Sequence, residues 1–357
     1  MWRGWFWGII CLYINIFCTV NSAVLKCYKK TTSNYMETSL EKASSILGTS
    51  FFDTDLPTIF YIFGYTEKEN SDVDSIIQAF MDCKCRNVCL MDWSAEANSY
   101  LGPLVDPIIQ PIGVQAIGVN YLVVCGLLEK VAIKVGDALI QMSNDGMNIG
   151  TFMCVGHSLG AQMCGAIGRR VQEKGKKIPR ITSLDPASVC FQHPIEFLKP
   201  VGRDCAEFVY NIHTDPGKYG LSKSTGHADV WVNYEYYQAN KVQPNCKKET
   251  LPLTIKSFCS HLRSWQLLVE SLRYPKSVVA SKAKSSADWT GGNQENSTKY
   301  IGDLVDTNAD GDYYLCTNTS PSYGMYTDGL NPDNCPRSGK KAEEDVENDV
   351  IDDKEYI

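Results

Sequence analysis

Short apolar runs recur along the chain, and all but the last end at a glycine, an aspartate or a histidine. Their residues are apolar throughout and do not alternate with polar ones, which is the pattern of strands covered on both faces of a sheet. Turn-forming residues at their ends favour strands over buried helices. Six such runs predict β-strands at 58–63, 87–91, 150–155, 181–184, 208–212 and 312–315.

Longer stretches with apolar residues at helical spacing separate several of these runs. They predict helices at 123–142, 159–172 and 260–272. Strands that alternate with helices are typical of an α/β fold. We therefore expect a mostly parallel central sheet with helices on both faces.

The two ends of the chain differ from the rest in composition. One arginine, an apolar run over 5–20 and small residues near 22 predict a secretory signal peptide at 1–22. A membrane anchor is the alternative, but the run is short for a span and Asn15 interrupts it. Residues 336–357 form a predicted disordered acidic tail. One folded domain, 23–335, is expected between them.

The charge of the chain is concentrated in that tail. Residues 343–357 contain eight acidic groups and one lysine, a net charge of -7 that equals the formal charge of the whole chain. The remainder is close to neutral, so it has no basic surface for nucleic acid.

Fifteen cysteines are many for a cytosolic protein and indicate export. Thirteen remain without the signal peptide, and this odd number requires a free thiol or an intermolecular bridge. Cys154 and Cys164, in an apolar run and on a helix, are predicted to be buried free thiols. N-glycosylation sequons at Asn296 and Asn318 agree with secretion.

Three further cysteines follow a C-x-C-x₃-C pattern at Cys83, Cys85 and Cys89. A metal site would require a second cluster with histidine nearby, and the sequence shows none. Disulfide bonding, with Cys27 as partner of one of the three, is the favoured interpretation.

The segment after the third strand carries the chemistry. Residues 156–160 read G-H-S-L-G, the G-x-S-x-G pattern of a nucleophile elbow. The pentapeptide alone is weak evidence, because a glycine-rich structural turn produces it too. Here it lies between a strand and an amphipathic helix, which is the context that an elbow requires. We therefore predict Ser158 as a nucleophile and the α/β-hydrolase fold.

A nucleophilic serine needs a base, and the base needs an acid that orients it. In this fold both follow the serine, with the acid first. Asp185, which ends the next strand before a proline, is the first candidate. Asp215 follows a later strand and Asp229 lies in a predicted polar turn, so both rank lower.

Five histidines are candidates for the base. His157 adjoins the nucleophile and would point elsewhere, whereas His193, His213, His227 and His261 follow the acid. His213 ends a strand and could be a core residue. His261 begins a helix after a loop bounded by cysteines, from which a side chain could reach over the sheet. Position alone leaves this choice open.

An oxyanion hole needs two fixed N–H donors. The residue after the nucleophile, Leu159, would supply one. An early strand-to-loop turn should supply the other, and the turn after Ile62, with the N–H of Tyr65 as donor, is the candidate. An ordinary turn glycine, Gly64, is the alternative reading of that turn.

The motifs together resemble the pancreatic-lipase-like family of animal lipases, in particular single-domain insect lipases and wasp-venom phospholipases A1. They occur in family order from residue 58 to about 322. The resemblance implies Ser158, Asp185 and His261 as the triad, and Tyr65 and Leu159 as oxyanion donors. The matching pieces are FGY at 63–65, NVCLMDW at 87–93, VGHSLGA at 155–161, ITSLDPA at 181–187, FVYNIHTD at 208–215, QPNC at 243–246 and CSHLRSW at 259–265.

The resemblance also implies a disulfide between Cys246 and Cys259. It would close a lid loop of only twelve residues, 247–258. Long-lidded relatives resemble triacylglycerol lipases and short-lidded ones resemble phospholipases A1. A short lid covers less of the site and leaves room for a polar head group.

Two positions depart from the family pattern. Phe63 stands where the oxyanion turn usually begins with histidine, so a polar side chain is lost although the backbone donors remain. Cys205 stands where some relatives have a calcium-binding aspartate. We therefore expect no calcium, no other metal and no cofactor, and a Cys190–Cys205 bridge.

The sequence thus predicts a secreted, monomeric serine esterase that hydrolyses carboxylic ester bonds of lipids at a membrane or emulsion interface. Triacylglycerol lipase and phospholipase A1 are the two activities expected. The alternative is a catalytically weak or inactive lipase-like carrier or storage protein. Phe63 favours that alternative, and the three filled triad positions argue against it.

Overall fold

The computed structural model describes residues 23–65, 71–97, 114–249 and 255–336. The predicted signal peptide at 1–22 lies outside the described residues, as does the predicted acidic tail beyond residue 336.

Within the described ranges, eleven strands form one sheet in the order β12-β11-β13-β10-β9-β6-β5-β3-β4-β1-β2, and β7 and β8 form a separate hairpin. The strands are β1 Val24–Lys29, β2 Thr31–Ser39, β3 Thr58–Ile62, β4 Asn87–Asp92, β5 Phe152–His157, β6 Arg180–Leu184, β7 Phe191–Gln192, β8 Ile195–Glu196, β9 Phe208–His213, β10 Ala228–Val232, β11 Val279–Lys282, β12 Thr298–Tyr300 and β13 Gly311–Leu315.

Seven strands in the centre of the sheet, β13, β10, β9, β6, β5, β3 and β4 in spatial order, run parallel to one another. Antiparallel strands flank them, β1 and β2 at one edge and β11 and β12 at the other. Every residue of β3, β9 and β10 is buried. The predicted mostly parallel sheet of the α/β-hydrolase fold is confirmed, as are the six predicted strands.

Helices cover the sheet in two groups. The long α3 packs against α4 and against the 3₁₀ helix Leu40–Ile46, whereas α1 packs against α6. None of the described helices is both long and apolar enough to cross a bilayer. The helices are α1 Ser71–Met81, α2 Ser94–Ala97, α3 Val114–Asn144, α4 Leu159–Glu173, α5 Tyr234–Asn240, α6 Cys259–Arg273 and α7 Ser286–Thr290.

The described residues include thirteen cysteines. Twelve of them form six disulfides, and the thirteenth, Cys205, is a free thiol. Cys27 bonds to Cys89 and so links β1 to β4. Cys27 was predicted to bond to one cysteine of the C-x-C-x₃-C cluster. Cys83 bonds to Cys85. The predicted disulfide role of this cluster is therefore confirmed.

Two cysteine predictions are wrong. Cys154 and Cys164 form a disulfide, because α4 folds back along β5 and brings their Cα atoms to 5.8 Å. Cys190 bonds to Cys125 on α3 and not to Cys205. The Cys205 sulfur instead accepts a hydrogen bond from Arg169 on α4 at 3.0 Å.

Candidate active site

Ser158 occupies the turn between β5 and α4. Its φ of 56° and ψ of -119° are rare for a residue with a side chain and cost of order 1–3 kcal/mol. Its N–H donates to the Leu184 carbonyl at 2.9 Å. A Cβ at Gly160 would collide with the Ile62 carbonyl, so glycine is required for α4 to approach β3 this closely. The elbow is thus fixed between β3 and β6.

Asp185 follows β6 directly and is fully buried. Its Oδ1 accepts the backbone N–H groups of Thr214 at 2.8 Å and Asp215 at 3.1 Å. Its Oδ2 lies 2.5 Å from His261 Nδ1. A Cβ at Gly220 would come within 2.5 Å of the carboxylate, so this glycine makes room for it. The carboxylate is therefore held in one orientation, aimed at His261.

His261 is the third residue of α6 and is 3% exposed. Its carbonyl accepts hydrogen bonds from Ser264 Oγ at 3.0 Å and from His157 Nε2 at 3.2 Å. Its ring centroid lies 5.6 Å from that of Tyr219. Because Nδ1 donates to Asp185, the other ring nitrogen, Nε2, is the one available to take a proton.

Ser158, the predicted nucleophile, is connected to this pair through its neighbour His157. The rings of His157 and His261 are 4.7 Å apart, which places the residue before Ser158 against the base. Among the described hydrogen bonds, none joins the Ser158 hydroxyl to His261. Such bonds often tighten only when substrate is bound. In the described part of the chain, the structure therefore joins the predicted acid to the predicted base and shows no hydrogen bond from either to Ser158.

Asp215 is a second buried carboxyl group at the site. Its Oδ1 accepts from the Tyr237 hydroxyl at 2.6 Å. Burial, followed by the charge of Asp185, raises the pKa of Asp215 to about 6. From the sequence alone, Asp185 and Asp215 were alternative candidates for the acid. The structure brings both to one place because β6 and β9 are parallel neighbours. Asp185 is the one bonded to His261.

Asp185, Asp215 and His261 have potential ligand atoms within 4.8 Å of one another, which is close enough for a metal site to be considered. A zinc ion between Asp185 and His261 would require about 2 Å to each ligand atom. The 2.5 Å separation of Oδ2 and Nδ1 matches a hydrogen bond and leaves no such space. We therefore interpret the cluster as acid–base machinery.

The other candidate histidines have different partners. His213 Nε2 lies 2.7 Å from Asp229, and its ring stacks on Trp231. His227 accepts a backbone N–H, and His193 is exposed in the loop between β7 and β8. The prediction that Asp229 lies in a polar turn is wrong, because it is a buried residue of β10. The other four residues of this short strand are apolar, and only the charged residue at its second position disguises it.

The two segments that carry the predicted oxyanion donors lie close together, because Gly160 approaches the Ile62 and Phe63 carbonyls. Leu159 is the first residue of α4, where N–H groups have no partner within the helix. Tyr65 lies in the turn after β3, and its hydroxyl accepts from Asn120 at 3.0 Å while its ring packs edge-on against Tyr121. Phe63 is fully buried at the start of that turn.

The predicted lid is bounded by a disulfide between Cys246 and Cys259. Residues 250–254 of this loop lie outside the described part of the chain. At its end, the Ser257 hydroxyl is 2.8 Å from the hydroxyl of Tyr219, whose ring contacts His261. The end of the loop is therefore linked to His261 through the side chain of Tyr219.

The chain is similar in sequence to known lipases. A sequence model of the family described as Lipase matches residues 114–323, more than half of the chain, including Ser158, Asp185 and His261. Pancreatic triacylglycerol lipase of Oryctolagus cuniculus is 29% identical over 284 residues, covering 74% of this chain and 55% of that protein. Lipase member H-B of Xenopus laevis is 29% identical over 258 residues, covering 71% and 50%. The chain thus spans about half the length of these relatives.

Similarity to solved structures is lower. A dienelactone hydrolase-like promiscuous phosphotriesterase, P91, from metagenomic libraries has a TM-score of 0.35 and 13% identity, covering 71% of this chain and 98% of that one. An esterase from Pyrobaculum calidifontis has a TM-score of 0.29 and 10% identity, covering 64% and 72%.

Proposed function

Because the chain belongs to the Lipase family, we propose that it is a carboxylic ester hydrolase that cleaves acyl ester bonds of lipids. The contact between His261 Nδ1 and Asp185 Oδ2, beside the strained elbow at Ser158, is the observation that carries this proposal. A buried histidine oriented by a buried carboxylate is what activation of a serine hydroxyl requires.

The reaction follows from the roles of these groups. Ser158 Oγ attacks the ester carbonyl carbon while its proton passes to His261 Nε2, and Asp185 stabilises the imidazolium that forms. The Leu159 and Tyr65 N–H groups donate to the oxyanion. His261 then protonates the leaving alcohol as the C–O bond breaks and the acyl-enzyme remains. A water molecule repeats the sequence, which releases the fatty acid and restores Ser158.

Two substrate classes have support. The loop of twelve residues between Cys246 and Cys259 favours glycerophospholipids cleaved by a phospholipase A1, since a short lid leaves room for a head group. The names of the pancreatic relatives favour triacylglycerol. In both cases the substrate would be met at a membrane or emulsion surface by a monomer.

Export of the protein is part of the proposal. Six disulfides among the described residues suit an oxidising compartment. The sequons at Asn296 and Asn318 lie on exposed residues, where a glycan can be attached. N-terminal sequencing and glycosidase treatment of protein from the medium of expressing cells test these points; an intact residue 1 would contradict the signal peptide.

The activity is tested with full-length protein on an emulsion that contains both triacylglycerol and phosphatidylcholine. Mass spectrometry of the products should show free fatty acid with diacylglycerol, 2-acyl lysophospholipid, or both, and Ser158→Ala should abolish their formation. Lipid that copurifies with a protein showing no Ser158-dependent turnover would instead support the carrier alternative.

A further inference from the structure

Trp93 connects the strand after α1 to the oxyanion turn. It directly follows β4, as Phe63 directly follows β3, and these two strands are parallel neighbours. The two residues therefore leave the sheet at the same edge. The indole Nε1–H of Trp93 donates to the Phe63 carbonyl at 3.0 Å, and the two rings stack with centroids 6.5 Å apart. Neither side chain is exposed.

The opposite side of the same turn is held by the elbow. A Cβ at Gly160 would meet both the Ile62 carbonyl and the Phe63 carbonyl. The Phe63 carbonyl thus lies between the Trp93 indole and the backbone one residue beyond Leu159. A displacement of this carbonyl changes the distance between the two proposed oxyanion donors.

Peptide geometry explains why one hydrogen bond has this effect. The Phe63 carbonyl and the Gly64 N–H belong to one planar unit, so fixing the carbonyl fixes the plane. The next peptide plane carries the Tyr65 N–H, and only the φ and ψ rotations of Gly64 lie between the two planes. Glycine restricts these rotations least of all residues. Beyond Gly64, the Tyr65 side chain is held by Asn120. The flexible glycine is therefore secured from both sides.

We propose that Trp93 is a positioning residue for the oxyanion hole, and that its indole N–H holds the turn in which Phe63 replaces the histidine usual in the family. This inference rests on the proposed function. Stabilisation of an oxyanion depends on donors fixed before the reaction. Loss of the indole hydrogen bond should therefore weaken binding of the transition state more than binding of the substrate.

The test compares two tryptophan variants on a short-chain nitrophenyl ester, with active enzyme counted by titration with a fluorophosphonate. Trp93→Phe keeps an aromatic ring and removes the N–H donor. We expect kcat to fall about 10- to 100-fold with KM within about twofold, below the 10²- to 10³-fold loss of a whole donor. The Ki of a trifluoromethyl ketone, whose adduct with serine is an oxyanion, should rise by a similar factor.

Trp289→Phe is the matched control. Trp289 is also buried, and its indole N–H also makes one hydrogen bond, to Ser281 at 2.7 Å, in a separate apolar cluster. Its kcat and Ki should equal those of the wild type. If Trp93→Phe fails to fold, Trp93 is replaced by benzothienylalanine, which fills the same volume with sulfur in place of the N–H. The same loss of kcat is expected.

The outcomes separate the two claims. A wild type without turnover that depends on Ser158 contradicts the proposed function, and the inference with it. An active wild type whose Trp93 variants retain kcat and Ki within twofold contradicts the inference alone. A fall in kcat without the matching rise in Ki also overturns it, because the lost interaction would then not act on the oxyanion.

Discussion

His261 Nδ1 and Asp185 Oδ2 lie 2.5 Å apart although 76 residues separate them in the chain. The carboxylate is held by the N–H groups of Thr214 and Asp215, and the imidazole stands in the first turn of α6. The carboxylate is thus oriented by backbone that follows β9, and the imidazole by α6. This contact distinguishes Asp185 from the other carboxylates that the sequence offered.

Asp185→Asn should remove the acid while retaining the shape of the site. An amide cannot hold the histidine in the same tautomer, so we expect kcat on a nitrophenyl ester to fall about 10³- to 10⁴-fold. Asp215→Asn is the matched control, because it neutralises the neighbouring carboxyl, whose described hydrogen bond goes to Tyr237 and not to His261, and its loss should stay below about 10-fold. A larger loss in Asp215→Asn than in Asp185→Asn would assign the acid to Asp215.

The raised pKa of Asp215 makes stability depend on pH. Burial and the charge of Asp185 raise this pKa from 3.8 to about 6 in the folded protein. The folded state therefore holds the proton more tightly than the unfolded state. The contribution of this group falls as pH rises from about 4 to 6, by about 3 kcal/mol in total at 1.36 kcal/mol for each pKa unit.

Asp215→Asn cannot ionise and keeps an oxygen for Tyr237. The free energy of unfolding of this variant, relative to the wild type, should therefore rise by about 2–3 kcal/mol between pH 4 and pH 8. Urea titrations at the two pH values measure this difference. A difference that does not change with pH would show that Asp215 does not carry the proposed penalty.

Gly160 tests the contact between the elbow and the oxyanion turn. Gly160→Ala would place a methyl group against the Ile62 carbonyl, which belongs to the backbone of β3 and cannot rotate away. We expect a loss of about 1–3 kcal/mol of stability, as in overpacked cores, and at least a 10-fold loss of kcat. Gly48→Ala, at a site with nothing within 4 Å, should change neither. Equal behaviour of the two variants would contradict the described approach of α4 to β3.

The lid disulfide should contribute stability in proportion to the loop that it closes. Replacing Cys246 and Cys259 by serine opens a loop of about 14 residues. By the chain-entropy relation, this should lower the free energy of unfolding by about 3 kcal/mol. Replacing Cys83 and Cys85, which close a loop of about three residues, should cost about 1.6 kcal/mol by the same relation. Chemical denaturation of both double variants provides the comparison, and a greater loss from the shorter loop would refute this ranking.

The buried strands and the elbow were predictable from the sequence because their signals are local. β3, β5 and β6 are apolar runs, since both of their faces are covered, and the structure places their ends within two residues of the prediction. β2 gave no such signal. It is an edge strand with mostly exposed polar residues, so no apolar run marks it.

What the sequence missed depends on contacts between distant elements. The Cys154–Cys164 disulfide exists because α4 turns back along β5, and spacing alone does not reveal that turn. The presence of Asp215 beside Asp185 depends on the order of strands in the sheet. The hydrogen bond from Trp93 to the Phe63 carbonyl likewise joins the ends of neighbouring strands, and the identity of neither residue predicts it.

The central claim is that Ser158 is a nucleophile activated by His261. Its most direct test is the rate at which a fluorophosphonate labels the full-length protein, with the modified residue identified by mass spectrometry. We expect one phosphonylated residue, Ser158, and a labelling rate that falls at least 10³-fold in His261→Ala. Labelling at another residue, or labelling of Ser158 at an unchanged rate in His261→Ala, would contradict it.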